Sequence, residues 1–127
     1  MGMYTEFHYN VCLCKSTPME VIHTLHLMLT GANNTNPIPT HPLFKTGRWS
    51  VMFQCDSYYF DARTHCTLHY DDIAEAWFLC VRCNFKNYDN EIEKFCDWIR
   101  PHIDKEEGDF LGFSRYEETE TPTLIYA

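Results

Sequence analysis

The chain has 127 residues, 45% of them hydrophobic, 16% aromatic and 22% charged, with a formal charge of -8 at pH 7. A chain of this size buries roughly two-thirds of the surface it exposes when unfolded, so one soluble domain over the whole length, with a real core and no need of disulfides or metals, is expected. Ten Lys+Arg against 18 Asp+Glu argue against direct nucleic-acid binding, which depends on clustered cations releasing phosphate counterions, and no apolar run approaches the roughly 18–20 residues of a membrane span.

Residues 4–14 alternate with period two, with Phe7, Tyr9, Val11 and Leu13 on one side and Glu6, His8, Asn10 and Cys12 on the other. This predicts a strand. The N-terminus runs straight into that alternation without a secretory h-region, which points to the cytoplasm rather than export. Thr17-Pro18-Met19-Glu20 then supplies an N-cap hydroxyl, a proline at the first helical position and a glutamate able to reach back to the cap. The helix this starts runs to Thr30 on a stripe of Val21, Ile22, Leu25, Met28 and Leu29, and Gly31 is placed to close it. On this reading, loss of the Thr17 hydroxyl costs about 1 kcal/mol.

Residues 32–47 are rich in Asn, Thr and Pro and predict a long loop. It is either a contact surface or an elaborated crossover held down by Leu43 and Phe44. Residues 48–55 alternate again, with Trp49, Val51 and Phe53 inward and Ser50, Met52 and Gln54 outward, and predict a second strand. After the aromatic run Tyr58-Tyr59-Phe60, strands are expected at 66–70 and 76–85, joined by a turn at Asp71-Asp72. Asn90 with Glu93 three residues on resembles a capping box for a helix through Arg100, with Ile92, Phe95, Cys96 and Ile99 as its apolar stripe. A strand near 110–116 and a short β-rich tail at 123–126 complete the chain.

The order β-α-β-β-β-α-β predicts an α+β two-layer sandwich. Each helix has one stripe to bury, so both should lie on one face of a mostly antiparallel sheet, a ferredoxin-like variant. That fold hosts too many activities to name a function.

The seven cysteines are an odd number lying mostly in apolar-periodic segments, which fits reduced thiols acting as small hydrophobes. Cys80-Val81-Arg82-Cys83 matches C-x-x-C, but on a strand residues three apart point to opposite faces and cannot hold one ion. Neither His23-x-x-His26 nor His65-x-x-x-His69 has a clear third ligand, and zinc wants three or four. No cofactor is therefore expected. No glycine-rich phosphate loop, G-x-S-x-G elbow or H-E-x-x-H is present in the sequence.

The sheet's second face is the informative surface. It is expected to carry Glu6, His8, Asn10, Cys12, Ser50, Met52, Gln54, Thr67, His69, Phe78, Cys80, Arg82 and Asn84, of which Glu6 and Arg82 alone are formally charged. A sheet face open to water is normally richer in charge, whereas interface cores are depleted in it and enriched in aromatics and Met. Such a face suits another protein or a second copy of the chain, unless the tail carrying Leu124, Ile125 and Tyr126 folds over it. The acidic residues between Asp104 and Glu120 give one end a negative field, read as a solvated loop or as steering for a basic partner.

Three stretches, Tyr4-Thr5-Glu6-Phe7, the run from Arg82 to Glu93, and Pro122-Thr123-Leu124-Ile125-Tyr126, resemble segments of small uncharacterised proteins encoded by tailed bacteriophages. The resemblance implies a phage or prophage origin and a bacterial cytoplasm, and transfers no catalytic residue. Proteins of this kind frequently block a host enzyme or defence complex or sequester a signalling molecule. Three functions are then in play. One is a non-enzymatic binding protein, oligomeric with itself, that modulates or inhibits a bacterial host protein through His8, Met52, His69, Phe78 and Arg82 on the second face, through the 32–47 loop, or through both. Another is a nucleotide-sequestering oligomer with Arg48, Trp49, Tyr58, Tyr59 and Arg82 around a pocket between subunits. The last is an acid/base or metal-assisted enzyme in which His8 and His69 approach each other across the sheet.

Overall fold

The computed structural model describes residues 3–31 and 37–127; residues 32–36, the first part of the predicted loop, lie outside the described residues. The strands are β1 (Thr5–Cys12), β2 (Thr67–Asp71), β3 (Ala76–Phe85), β4 (Phe110–Tyr116) and β5 (Thr123–Tyr126), and the helices are α1 (Met19–Thr30) and α2 (Glu91–Ile99). All neighbouring strands pair antiparallel in the order β2-β3-β1-β4-β5. Helix α1 links β1 to β2 across β3, and α2 links β3 to β4 across β1, so each helix joins two strands with a third between them. The protein is an α+β two-layer sandwich with both helices on one face.

Strand register explains the core. Phe7, Tyr9 and Val11 of β1 stand opposite Cys83, Val81 and Leu79 of β3, and all six are buried. Phe95 of α2 meets this floor with its ring centroid 6.1 Å from Phe7 and 5.8 Å from Tyr9, and continues to Phe53 at 5.1 Å. Helix α1 buries Val21, Ile22, Leu25 and Met28 and ends, as its sequence implies, on Gly31 at φ 68°, whose N–H donates to the Leu27 carbonyl at 2.8 Å.

Both predicted caps are corrected. Thr17 does not cap α1; its hydroxyl donates to the Cys14 carbonyl at 2.6 Å, and the helix enters through Pro18 without a side-chain cap. Asn90 takes a left-handed conformation at φ 56° and makes no cap bond. The capping oxygen comes from Asn87, whose Oδ1 accepts from Ile92 N at 2.9 Å. Asn87→Ala should therefore cost about 1 kcal/mol in urea denaturation, the usual loss of a cap. Asn90→Gly, which relieves a left-handed non-glycine residue, should cost nothing or stabilise.

The second predicted strand does not form. Residues 48–55 make helical turns, with Val51 N donating to Arg48 O at 3.0 Å, and Gln54 N and Cys55 N both donating to Val51 O. The buried residues are Trp49, Met52 and Phe53, while Val51 is 42% exposed. Trp49, Met52 and Phe53 are spaced i, i+3, i+4, so the same eight residues satisfy a helical template as well as the period-two one. The helical one wins because this segment and the 3-10 turn Pro42–Lys45 fill the helix layer. Phe44 packs edge-on against Trp49 at 4.8 Å and Trp98 at 5.1 Å, and Gln54 Nε2 donates to the Met28 carbonyl at 3.0 Å. The fifth strand is supplied by the tail, which pairs with β4 at the sheet margin rather than folding over the second face. The element order is thus β-α-β-β-α-β-β.

Candidate interaction surface on the second sheet face

Register places the side chains of the second face in rows across the strands. One row runs Asn84, Glu6, Arg115; the next Arg82, His8, Phe113, Leu124; then Thr67, Cys80, Asn10; and last His69, Phe78, Cys12. Phe113, Arg115 and Leu124 join this face through the pairing of β4 and β5 beside β1. Phe113 and Arg115 share a face by alternation, but Leu111 is buried in the core beside the register shift, so the signal is two residues long and names a face only once β4 is known to flank β1.

The first row is covered. Residues 56–64 cross the end of the sheet: Asp56 Oδ1 accepts from Asn84 Nδ2 at 3.0 Å, and the Arg63 carbonyl accepts from Arg82 Nε at 2.7 Å. Phe60, 3% exposed, lies beneath the Arg115 guanidinium, which is 5.5 Å from its ring centroid. Under this cover Arg115 Nε donates to Glu6 Oε1 at 2.6 Å. The other Glu6 oxygen is 3.4 Å from His8 Nε2, close enough for attraction to a protonated imidazole but not aligned for a hydrogen bond. The His8 ring stacks on Phe113 at 4.5 Å with 13° between planes.

The Asp56 carboxyl is held below the ordinary carboxylate range. Desolvation alone would raise it, but the Asn84 amide, the Ser57 N–H, Arg63 and Thr64 together outweigh that. A depressed folded value means stability that is present above the unfolded value, about pH 4, and lost as pH falls through the folded one. Asp56→Asn should therefore flatten the acid limb of a stability-against-pH curve below about pH 4 while leaving its shape near neutrality unchanged.

The remaining predicted site residues scatter. His69 is exposed and stands opposite Phe78, which is half-buried; Arg82 is exposed and opposite His8. His8 and His69 are therefore offset by four residues along β3, about 13 Å at strand rise, and the structure does not bring them together as an acid/base pair. Met52, expected on this face, is fully buried in the helix-side core, and Trp49 is buried with it. The Arg48 guanidinium lies 5.3 Å from the Tyr88 ring centroid. Tyr58 is 94% exposed, and the Tyr59 hydroxyl donates to the Glu117 carbonyl at 3.2 Å. Trp49 lies in the helix-side core while Arg82 faces the second side of the sheet, so among the described residues these five are not gathered on one surface.

All seven cysteines are free thiols, and among the described residues no group of three or more His, Cys, Asp or Glu is arranged to hold a metal. Cys80 is exposed and Cys83 buried, on opposite faces as strand geometry requires. The Cys66 thiol is lowered, first by its hydrogen bond with Cys83, whereas burial pushes Cys96 up to about 12. Native-state alkylation followed by mass spectrometry should modify Cys80, the exposed cysteine, first. Cys83 and Cys96 should react only after unfolding, because the thiolate is the nucleophile and burial suppresses it.

Compared with models of known families, with curated proteins and with solved structures, the chain matches none. Fold and surface define its class: an α+β two-layer sandwich with a partly covered second sheet face. Among the described residues no helix is long and apolar enough to cross a membrane.

Proposed function

We propose that the chain is a non-enzymatic binding protein of tailed-phage or prophage origin that works in the bacterial cytoplasm. It holds a host protein or defence complex against the uncovered rows of its second sheet face and modulates or inhibits it. The observation that carries this reading is the charge content of those rows. Between the covering segment and Asp71, register sets Arg82, His8, Phe113, Leu124, Thr67, Cys80, Asn10, His69, Phe78 and Cys12 on one surface. Arg82 is the one formal charge among these residues, with Asp71 bounding them at one end and the part-exposed Arg115 at the other, and the Nε of Arg82 is already engaged by Arg63 O. Interface cores have this composition, poor in ions and enriched in aromatics, whereas a wet antiparallel face alternates to charged groups. Self-association through the same face belongs to the proposal, since a surface that buries well against a foreign chain also buries against its own copy.

Affinity capture from bacterial lysate with the wild-type chain and with a Phe78→Glu, Cys80→Glu variant tests it. Circular dichroism checks that the variant is folded. A stoichiometric partner retained by the wild type and lost by the variant supports the reading. Equal recovery by both, or no partner above background, overturns it. Sedimentation of the same two proteins reads the self-association.

A further inference from the structure

The sheet has an open margin at β5. This strand pairs with β4 on one side only, and among the described residues no hydrogen bond reaches the other side of Thr123, Leu124, Ile125 or Tyr126. Its sequence carries no charge, and Leu124 and Tyr126 are each 49% exposed. A row of free N–H and C=O groups is a template for another strand unless it is blunted. Strand β5 is only four residues long and follows Pro122, but its own residues carry neither charge nor proline, so its outer N–H and C=O groups stay available. Beside this margin, on the helix side, runs a groove of about 280 Å³ between α2 and β5, with Ile92, Cys96 and Ile125 in its wall and Arg100 at one end. Helices α1 and α2 span the strands they connect, and β5, added outside β4, overhangs them.

The two ends of the margin are acidic. Glu118 and Glu120 precede β5, whereas the Glu117 carboxylate turns to β1 and accepts from Tyr4 N. At the other end Glu106, Glu107 and Asp109 lie in a turn tied to the chain end by Gly108 N donating to Ala127 O at 2.9 Å and Ala127 N donating to Asp109 O at 2.8 Å. A second copy pairing antiparallel would set each copy's first acidic group against the other's second, a repulsion that Arg100 and Lys105 offset only in part. A strand with basic flanks gains from both ends.

We infer that the outer edge of β5 takes an extended peptide segment of a partner protein, with apolar residues at alternate positions and Lys or Arg at both flanks. Backbone hydrogen bonds add the segment as a sixth strand, and its alternate side chains enter the groove beside α2. This is the division of labour of strand addition, in which main chain supplies affinity and pockets supply selectivity. The site shares Leu124 with the second-face surface, but it rests on the backbone edge of β5 and the helix-side groove and so does not depend on that reading.

The test uses the full chain and a fluorescein-labelled peptide of alternating valine and threonine between two lysine pairs, read by anisotropy. Saturable binding is expected. It should weaken about tenfold when alternate peptide nitrogens on one edge are methylated, since those bonds carry the affinity. It should weaken about tenfold again when the lysines are replaced by glutamates, and fall with added salt. The Phe78→Glu, Cys80→Glu protein should bind the peptide like the wild type, so failure here is distinguishable from failure of the second-face reading. No binding at millimolar peptide, or equal binding of the methylated peptide, overturns the inference. So does a dimer of the protein alone that Ile125→Asp disperses, because a second copy would then own the edge.

Discussion

Gly112→Ala abolishes the native fold: the variant is expected to lose its cooperative thermal transition and to accumulate in the insoluble fraction. Gly112 stands opposite Tyr9 where β4 pairs with the central strand, next to the register shift between Phe110 and Gly112. A Cβ built there collides with the His8 carbonyl oxygen, and lies 2.8 Å from that carbonyl carbon and 2.9 Å from Tyr9 Cα. All three obstacles are backbone in the middle of the sheet, so no side chain can swing aside. An overpacked side chain in a core costs about 1–3 kcal/mol because neighbours adjust. Here the adjustment available is to part β4 from β1, which strips ladder hydrogen bonds and exposes Tyr9 and Phe7, both buried in the native sheet. Total stabilities of about 5–15 kcal/mol leave little room for such a loss. Gly108→Ala serves as the contrast. Nothing lies within 4 Å of a Cβ there, and its strain comes only from φ 91°, so that variant should fold with a modest deficit.

Arg115→Met should destabilise the protein by about 3 kcal/mol in urea unfolding, toward the lower end of what stranding a buried charge costs. The Glu6 side chain is 9% exposed and that of Arg115 40%, so the arginine is the wetter partner and its loss leaves the buried carboxylate facing only the unaligned His8 imidazole, 3.4 Å away. Phe60 loses the guanidinium above its ring at the same time. The double variant Glu6→Gln, Arg115→Met should recover most of the deficit, because the penalty comes from the orphaned charge rather than from a missing attraction. A double variant as unstable as Arg115→Met alone would show that packing on Phe60, not charge, is what Arg115 contributes.

Much of this architecture was legible in the chain. The alternation of residues 4–14, the Val21, Ile22, Leu25, Met28 stripe and the alternation of 76–85 each satisfy a single template over several repeats, and they form the elements expected. The stretch 48–55 failed because its apolar residues fit both period two and period 3.6. Eight residues are too few to separate the two, and the choice fell to the space between α1 and α2 that Trp49, Met52 and Phe53 fill. The caps failed for a related reason. Asn90 and Thr17 have suitable side chains at suitable offsets, but a cap depends on backbone angles, and Asn90 at φ 56° points its amide away while Asn87 reaches in.

The candidate surface was half visible. Residues of β1 and β3 were assigned to the second face from their own alternation, whereas Met52 was assigned to it wrongly, and the cover by residues 56–64 carried no periodic signal at all. That cover is held by Asp56 to Asn84 and Arg82 to Arg63, contacts between residues 28 and 19 positions apart. Side-chain periodicity is a local property, readable wherever a strand or helix repeats often enough to bury one side. Which strand lies beside which, where the tail pairs, and what lies over the pleats depend on hydrogen bonds and volumes shared by distant parts of the chain, and those exist only once the two layers have closed on each other.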